Sequence, residues 1–151
     1  MWRMTTRPPV RLGEWRVHHD FSALPRLDPA GMQVRTVREY WDGLFSGILE
    51  YQGEWYWYET FFDEDRDVVP EARRFVLAEV PEAVVLEELE WERVFRASGA
   101  AGVSVSPERW HAEVYGPYLA SGEPELGGAP LVGWCFLMRG GSEFASGGRG
   151  R

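Results

Sequence analysis

The chain has 151 residues, of which 44% are hydrophobic and 15% are aromatic. A domain of ~100–150 residues buries a sufficient core without a disulfide or a metal, so a single folded domain is expected. The formal net charge is −8 at pH 7. Because proteins that bind DNA or RNA usually present a basic surface to the phosphates, this charge argues against a nucleic-acid partner.

Two features of the composition exclude whole classes of chemistry. The chain contains no Lys, which excludes Schiff-base catalysis, a lysine-bearing phosphate loop and a Ser–Lys dyad. Cys135 is the only cysteine, so neither an intramolecular disulfide nor a Cys-based zinc site can form. Its neighbours Trp134 and Phe136 are aromatic, and we therefore expect Cys135 to be a buried packing residue. No cofactor and no bound metal are predicted.

The beginning of the chain does not resemble a targeting signal. It carries Arg3, Arg7 and Arg11 and lacks the apolar core of a signal peptide. No run of ~18 apolar residues follows, so no membrane-spanning segment is predicted. The sequence therefore predicts a cytoplasmic protein with no membrane partner.

The first elements are predicted from proline, glycine and alternating polarity. Residues 1–13 are interpreted as an irregular arm. Polarity alternates over residues 14–21, and this period of two predicts a half-buried strand. Residues 32–41 are predicted to be extended, followed by a turn at Asp42-Gly43 and a second bend or bulge at Ser46-Gly47. The turn interpretation of Ser46 is favoured over a nucleophile, because no Gly-x-Ser-x-Gly elbow surrounds it.

The clearest local structure is a hairpin of residues 47–51 and 54–62. Gly53 between the two segments can supply the positive φ that a tight turn requires. Aromatic residues occupy both sides of the second strand. This pattern indicates either a central strand that is covered on both faces or a strand with one face free as a contact surface.

The second half of the chain supplies the rest of an α+β fold. We predict a strand at 73–80, a helix at 81–98, a shorter helix from Ser106, and a buried strand at 131–138. The expected fold is an antiparallel sheet of about five strands with an aromatic-rich central hairpin and two helices packed mainly on one face. The domain is expected to cover residues 1–139, followed by a flexible Gly/Ser-rich tail at 140–151.

The order of these motifs resembles one group of proteins. Residues 40–47 read Tyr-Trp-Asp-Gly-x-x-Ser-Gly, and they are followed by the hairpin, an acidic loop, a strand, Pro81-Glu82, a helix and Val132-Gly133-Trp134. This arrangement resembles a group of small uncharacterised bacterial proteins over most of residues 36–138. The resemblance implies no activity.

His18 and Asp20 are the first candidates for chemistry. On a strand they share one face while His19 lies on the other. Two such ligands, with His111 or an acid as a third, would suit zinc or iron. The alternative interpretation is a partly exposed strand on which His19 is packed.

Residues 63–67 form an acidic run, Asp63-Glu64-Asp65-Arg66-Asp67. An EF-hand loop that begins at Asp63 would need Gly and Glu where the chain has Val68 and Arg74, so the run is not an EF-hand. A solvated acidic loop is the simpler interpretation, with a looser cation site as the alternative.

The leading functional hypothesis is a non-enzymatic acidic protein-interaction module of immunity-protein or antitoxin type, with a basic protein as its partner. Trp and Tyr are frequent hot-spot residues at interfaces. The predicted contact residues are Trp55, Trp57, Asp63, Glu64 and Asp65. The alternative function is a small-molecule-binding protein or a metal-assisted hydrolase that uses His18 and Asp20. A homodimer through the aromatic face is a third hypothesis.

Overall fold

The computed structural model describes residues 9–40, 44–61, 73–100 and 116–136, and these residues form six strands and three α-helices. In chain order, the elements are α1 (Leu12–His18), β1 (Met32–Val34), β2 (Glu39–Tyr40), β3 (Leu44–Tyr51), β4 (Glu54–Thr60), β5 (Arg74–Glu79), α2 (Glu82–Ala100), α3 (Gly116–Ala120) and β6 (Leu131–Phe136). Five strands lie in the order β1-β3-β4-β5-β6, and β2 also pairs with β3. All of these pairings are antiparallel, so the predicted α+β class and antiparallel sheet are confirmed.

The aromatic-rich hairpin is the centre of this sheet, as predicted. Gln52 and Gly53 connect β3 to β4 with φ values of 54° and 79°. Two consecutive positive φ angles match the twist of an antiparallel pair, which explains a two-residue connection at this position. The hairpin therefore follows from local turn chemistry.

Both faces of the sheet are covered. On one face, Leu12 and Trp15 of α1 and Val85 of α2 pack with Trp57 and Val76. The opposite face is packed by a separate cluster of residues from β1, the 35–37 segment and the neighbouring strands: Met32, Val34, Val37, Leu44, Leu49, Tyr58, Phe75, Leu77 and Cys135. The two helices α1 and α2 thus lie on one face, whereas the helix predicted from Ser106 falls outside the described residues.

The prediction of a strand over residues 14–21 is wrong, because residues 14–18 belong to α1. Leu12 and Trp15 are three residues apart and both are buried, which is the spacing of one helix face. Val17 belonged to the predicted buried side of the strand, but it is 72% exposed. The helix begins where the backbone N–H of Arg11 donates to Glu14, and it ends at His19 in a left-handed conformation.

The other predicted strands and the helix that fall on described residues agree with the structure within a few residues, whereas residues 1–8 and the predicted turn at Asp42-Gly43 lie outside the described residues. The strand expected at 73–80 is β5, and the helix expected at 81–98 is α2. The extended segment at 32–41 is interrupted between β1 and β2, where the hydroxyl of Thr36 accepts a hydrogen bond from the backbone of Ile48. The predicted tail at 140–151 lies outside the described residues. Within the described part of the chain, no helix combines the length and the apolar character that a bilayer crossing requires.

Candidate functional site

The sheet register places three polar side chains beside one another on the face that carries α1. Glu39 pairs with Ser46, and Ser46 pairs with Glu59. We call Glu39, Ser46 and Glu59 the carboxylate row. Ser46 is 1% exposed and lies inside β3, so its interpretation as a turn residue is wrong. The pairing of β2 with β3 shifts register beside Ser46, which agrees with the bulge predicted there as the alternative to a bend.

Glu59 is held by three hydrogen bonds. Arg16 donates from Nε and from one terminal nitrogen, each at 2.8 Å, and the indole N–H of Trp57 donates at 2.8 Å. The hydrogen bond to Glu59 is also the main reason why the pKa of Arg16 is raised. Both carboxylate oxygens of Glu59 are therefore committed to the protein, which leaves neither as a free base or nucleophile.

Glu39 differs from Glu59, because it is half-buried and forms no ion pair with an arginine or histidine among the described residues. Burial raises the pKa of its carboxyl from 4.5 to about 7, and a hydrogen bond with Glu123 and the charges of Glu123 and Glu59 add to the rise. A hydrogen bond between two carboxyl groups needs one shared proton. The neighbouring Arg38 also donates to the carbonyl of Gly122, so Glu39 and Arg38 together attach the 121–126 segment to β2.

The same line of paired positions continues through Val76 to Trp134 on β6. There the polar row gives way to three aromatic rings. Trp134 makes edge contacts with Phe21 and Phe136, at centroid distances of 5.6 and 5.2 Å. Arg74 lies 4.3 Å from the centroid of Phe21, and Arg26 lies 4.7 Å from that of Phe136. We call these five residues the aromatic–arginine patch.

The backbone fixes one side of this patch. Trp134 donates its backbone N–H to Pro25 and accepts from Leu27. A Cβ at Gly133 would lie 2.6 Å from Cγ of Leu27, so only glycine allows the 25–27 segment to lie this close to β6. Arg26 is thereby held between two anchored residues.

Exposed apolar side chains occur on α1, after β4 and at the end of β6. Val17 lies in sequence between Arg16, which binds Glu59, and His19. Val17 is 72% exposed, Phe61 is 45% exposed and Phe136 is 36% exposed. His19 stacks on Phe61 with a centroid distance of 3.7 Å. Phe61 directly follows Thr60, whose partner Phe75 is next to Arg74, so Phe61 borders the patch. We call Val17 and Phe61 the apolar rim.

The predicted pair of His18 and Asp20 is not aligned by a strand. His18 is the last residue of α1, and Asp20 follows in a loop where its carboxylate accepts a 2.9 Å hydrogen bond from the backbone of Ser22. That hydrogen bond is the main reason why the pKa of Asp20 is lowered. Among the described residues, no group of three or more His, Cys, Asp or Glu side chains is arranged to hold a metal ion.

The predicted contact residues have different positions. Trp55 is half-buried against the core, and Trp57 is 1% exposed, so its ring is out of reach of a partner. The contribution of Trp57 is the hydrogen bond that its buried indole N–H donates to Glu59. The acidic residues Asp63, Glu64 and Asp65 lie outside the described residues.

Two further features offer no chemistry. Cys135 is completely buried, and burial raises the pKa of its thiol to about 12, which agrees with a packing role. An open cleft of about 420 Å³ lies between the start of α2 and the 125–130 segment. Its lining is mainly apolar, with carboxylates from Glu79 and Glu125 and no nucleophile or base beyond them.

No protein-family model, no curated protein and no solved structure matches this chain. The resemblance to small bacterial proteins stays a prediction. Function is therefore inferred from the carboxylate row, the aromatic–arginine patch and the apolar rim.

Proposed function

We propose that this chain is a non-enzymatic protein-interaction module of immunity-protein or antitoxin type, which binds a basic partner protein. The observation that carries the proposal is the apolar rim. Val17 on α1 is 72% exposed and Phe61 after β4 is 45% exposed, whereas Trp57, Tyr58 and Phe75 of the same sheet are buried. Exposed apolar side chains that lie together are typical of protein contact sites.

The carboxylate row supports a module without catalysis. A hydrolase that used two carboxyl groups would need both to reach a substrate. Here Glu59 is occupied by Arg16 and Trp57, and Ser46 is buried. The row attaches α1 and the 121–126 segment to the sheet, so its polar groups stabilise the surface that the rim belongs to.

Charge and chain order support a basic partner. The net charge is −8, and an acidic protein attracts a basic one over a distance. Phe61 is separated from the run Asp63-Glu64-Asp65 by Phe62 alone, so the apolar rim is close in sequence to the longest run of consecutive acidic residues in the chain. An apolar contact beside a set of carboxylates is a suitable arrangement for binding a basic surface.

The test is affinity capture from a lysate of the source organism, followed by reconstitution with the purified candidate. We expect the tagged protein to retain one basic protein in near-stoichiometric amount. The variant Phe61→Ser/Asp65→Asn should lose it. Phe61 is preferred to Trp55 because the Trp55 ring also packs against the core, so its removal would affect folding.

The chain offers a matched control. Leu86 is 60% exposed on α2, and Glu87 beside it is also exposed, so Leu86→Ser/Glu87→Gln removes the same kinds of group elsewhere. The control should retain the partner. Equal loss with both variants, or no basic protein above background, would contradict the proposal. Circular dichroism of both variants checks that the fold is intact.

A further inference from the structure

Two arginines of the aromatic–arginine patch have no acidic partner among the described residues. Arg26 and Arg74 make ring contacts only, at 4.3–5.8 Å from ring centroids. Five other described arginines form ion pairs, and Arg11 donates to the carbonyl of Gly128: the ion-paired ones are Arg16, Arg35, Arg38, Arg93 and Arg96. An acidic protein has many carboxylates that could pair with arginine. Two arginines that pair with no described carboxylate therefore require an explanation.

The geometry leaves both guanidinium groups ready to bind an anion. Their Cζ atoms lie 5.5 and 5.8 Å from the centroid of the same indole ring, that of Trp134. A guanidinium that lies over a ring keeps its N–H edges free for a bidentate carboxylate. Two cations that lie within 6 Å of one ring centroid also repel each other, and acidic groups bound to both would offset that repulsion.

We propose that the aromatic–arginine patch binds the carboxylates of a short acidic segment of the partner polypeptide. The inference rests on the proposed function, because it describes what the partner presents at this surface. A partner that is basic as a whole would present a local acidic segment to Arg26 and Arg74. The contact would then carry charges of both signs, which fixes the orientation of the two proteins.

Three observations favour a polypeptide over a nucleic acid. Bases bind to proteins by stacking on open aromatic faces, but here Arg74 covers a face of Phe21 and Arg26 covers a face of Phe136. The net charge of −8 repels a long polyanion. The apolar rim beside the patch can bind apolar side chains of a peptide. A sugar–phosphate backbone carries no such apolar groups.

The experiment measures the binding of a dye-labelled peptide of six glutamates and two leucines to the full chain by fluorescence anisotropy. The comparison uses the double variant Arg26→Gln/Arg74→Gln. Its matched control, Arg35→Gln/Arg93→Gln, has the same net charge but loses two arginines that are exposed and already paired. We expect the patch variant to bind the peptide about tenfold more weakly or worse, and the control to bind it as the wild type does. Arg26→Lys/Arg74→Lys should recover only part of the affinity, because lysine lacks the bidentate edge.

Each other outcome would overturn the inference. Equal weakening in both double variants would mean that only net charge matters. Tighter binding of an oligothymidylate than of the peptide would indicate a nucleic-acid site, and a concentration-dependent dimer that Arg26→Gln/Arg74→Gln abolishes would indicate a second copy of the chain. No peptide binding at all would overturn this inference but not the proposed function, which capture of a basic partner tests separately.

Discussion

The carboxylate row and the aromatic–arginine patch lie on one face of one sheet, and they use their charges in opposite ways. In the row, Glu59 has Arg16 and Trp57 as partners, and Glu39 is hydrogen-bonded to Glu123, which adds to the rise of the Glu39 pKa. In the patch, Arg26 and Arg74 lie against rings and have no described carboxylate near them. Charges that are paired within the protein stabilise its fold, whereas charges that are left unpaired at a surface are available to a partner.

The strongest test of this comparison is to remove a cation from the row. Arg16→Met leaves the carboxylate of Glu59, which is 9% exposed, with only the Trp57 indole as donor. We expect the free energy of unfolding to fall by about 2–3 kcal/mol, because a buried charge without its partner is costly. Urea denaturation at pH 7 measures the change.

The control for Arg16 is Arg35→Met, which breaks an exposed pair with Glu50 and should cost less than about 1 kcal/mol. The double variant Arg16→Met/Glu59→Met should recover much of the loss, since both charges are then gone. If Arg16→Met were no more harmful than Arg35→Met, the row would have no special role in stability.

The second test uses pH and acts on Glu39. Because its pKa is raised from 4.5 to about 7 in the folded chain, the protonated form stabilises the fold fully below pH 4.5. That contribution decreases as the pH rises from 4.5 to 7, and it is lost above 7. Glu39→Gln keeps a neutral group that can still donate to Glu123, so the variant should become more stable than the wild type as the pH rises.

The expected gain of Glu39→Gln at pH 8 is on the order of 1 kcal/mol, since solvent screens a half-buried carboxyl. At pH 5 the two proteins should be nearly equal. Thermal unfolding at the two pH values measures the difference, with Glu90→Gln on the exposed face of α2 as the control. A constant difference at both pH values would show that Glu39 does not hold a proton in the folded chain.

The smallest effect is expected in the patch. Arg26→Met and Arg74→Met each remove a cation from an aromatic surface that is open to solvent, and each should cost about 0.5 kcal/mol. Measured beside Arg16→Met by urea denaturation, these variants compare the same substitution in the two regions. A loss as large as that of Arg16→Met would mean that the patch is part of the stabilising core.

The sequence predicts those elements whose signals are local. Gln52-Gly53 specifies the central hairpin, and Pro81 marks the start of α2 within one residue. The segment at 14–21 misleads because Trp15, Val17, His19 and Phe21 alternate with polar residues. Leu12 lies outside that window, and together with Trp15 it forms one buried helix face. This i, i+3 pair indicates a helix.

The candidate site could not be predicted in the same way, because its contacts join distant parts of the chain. Arg16 and Glu59 are 43 residues apart in sequence. Glu39 can form a hydrogen bond with Glu123 only when the 121–126 segment lies against β2. The stripe of Trp55, Trp57, Glu59 and Phe61 was visible in the sequence. Which of its members would be exposed depended on α1, which covers Trp57 and leaves Phe61 at the rim.

The close contact between the 25–27 segment and β6 has a consequence for the behaviour of the protein in a crowded solution. An open edge strand is a template on which the strand of another molecule can pair, and such pairing leads to aggregation. Near the middle of β6, the backbone groups of Trp134 that point away from β5 are already bonded to Pro25 and Leu27. Another molecule can therefore contact this edge through side chains. It cannot extend the sheet by backbone pairing at Trp134, because those backbone groups are already bonded.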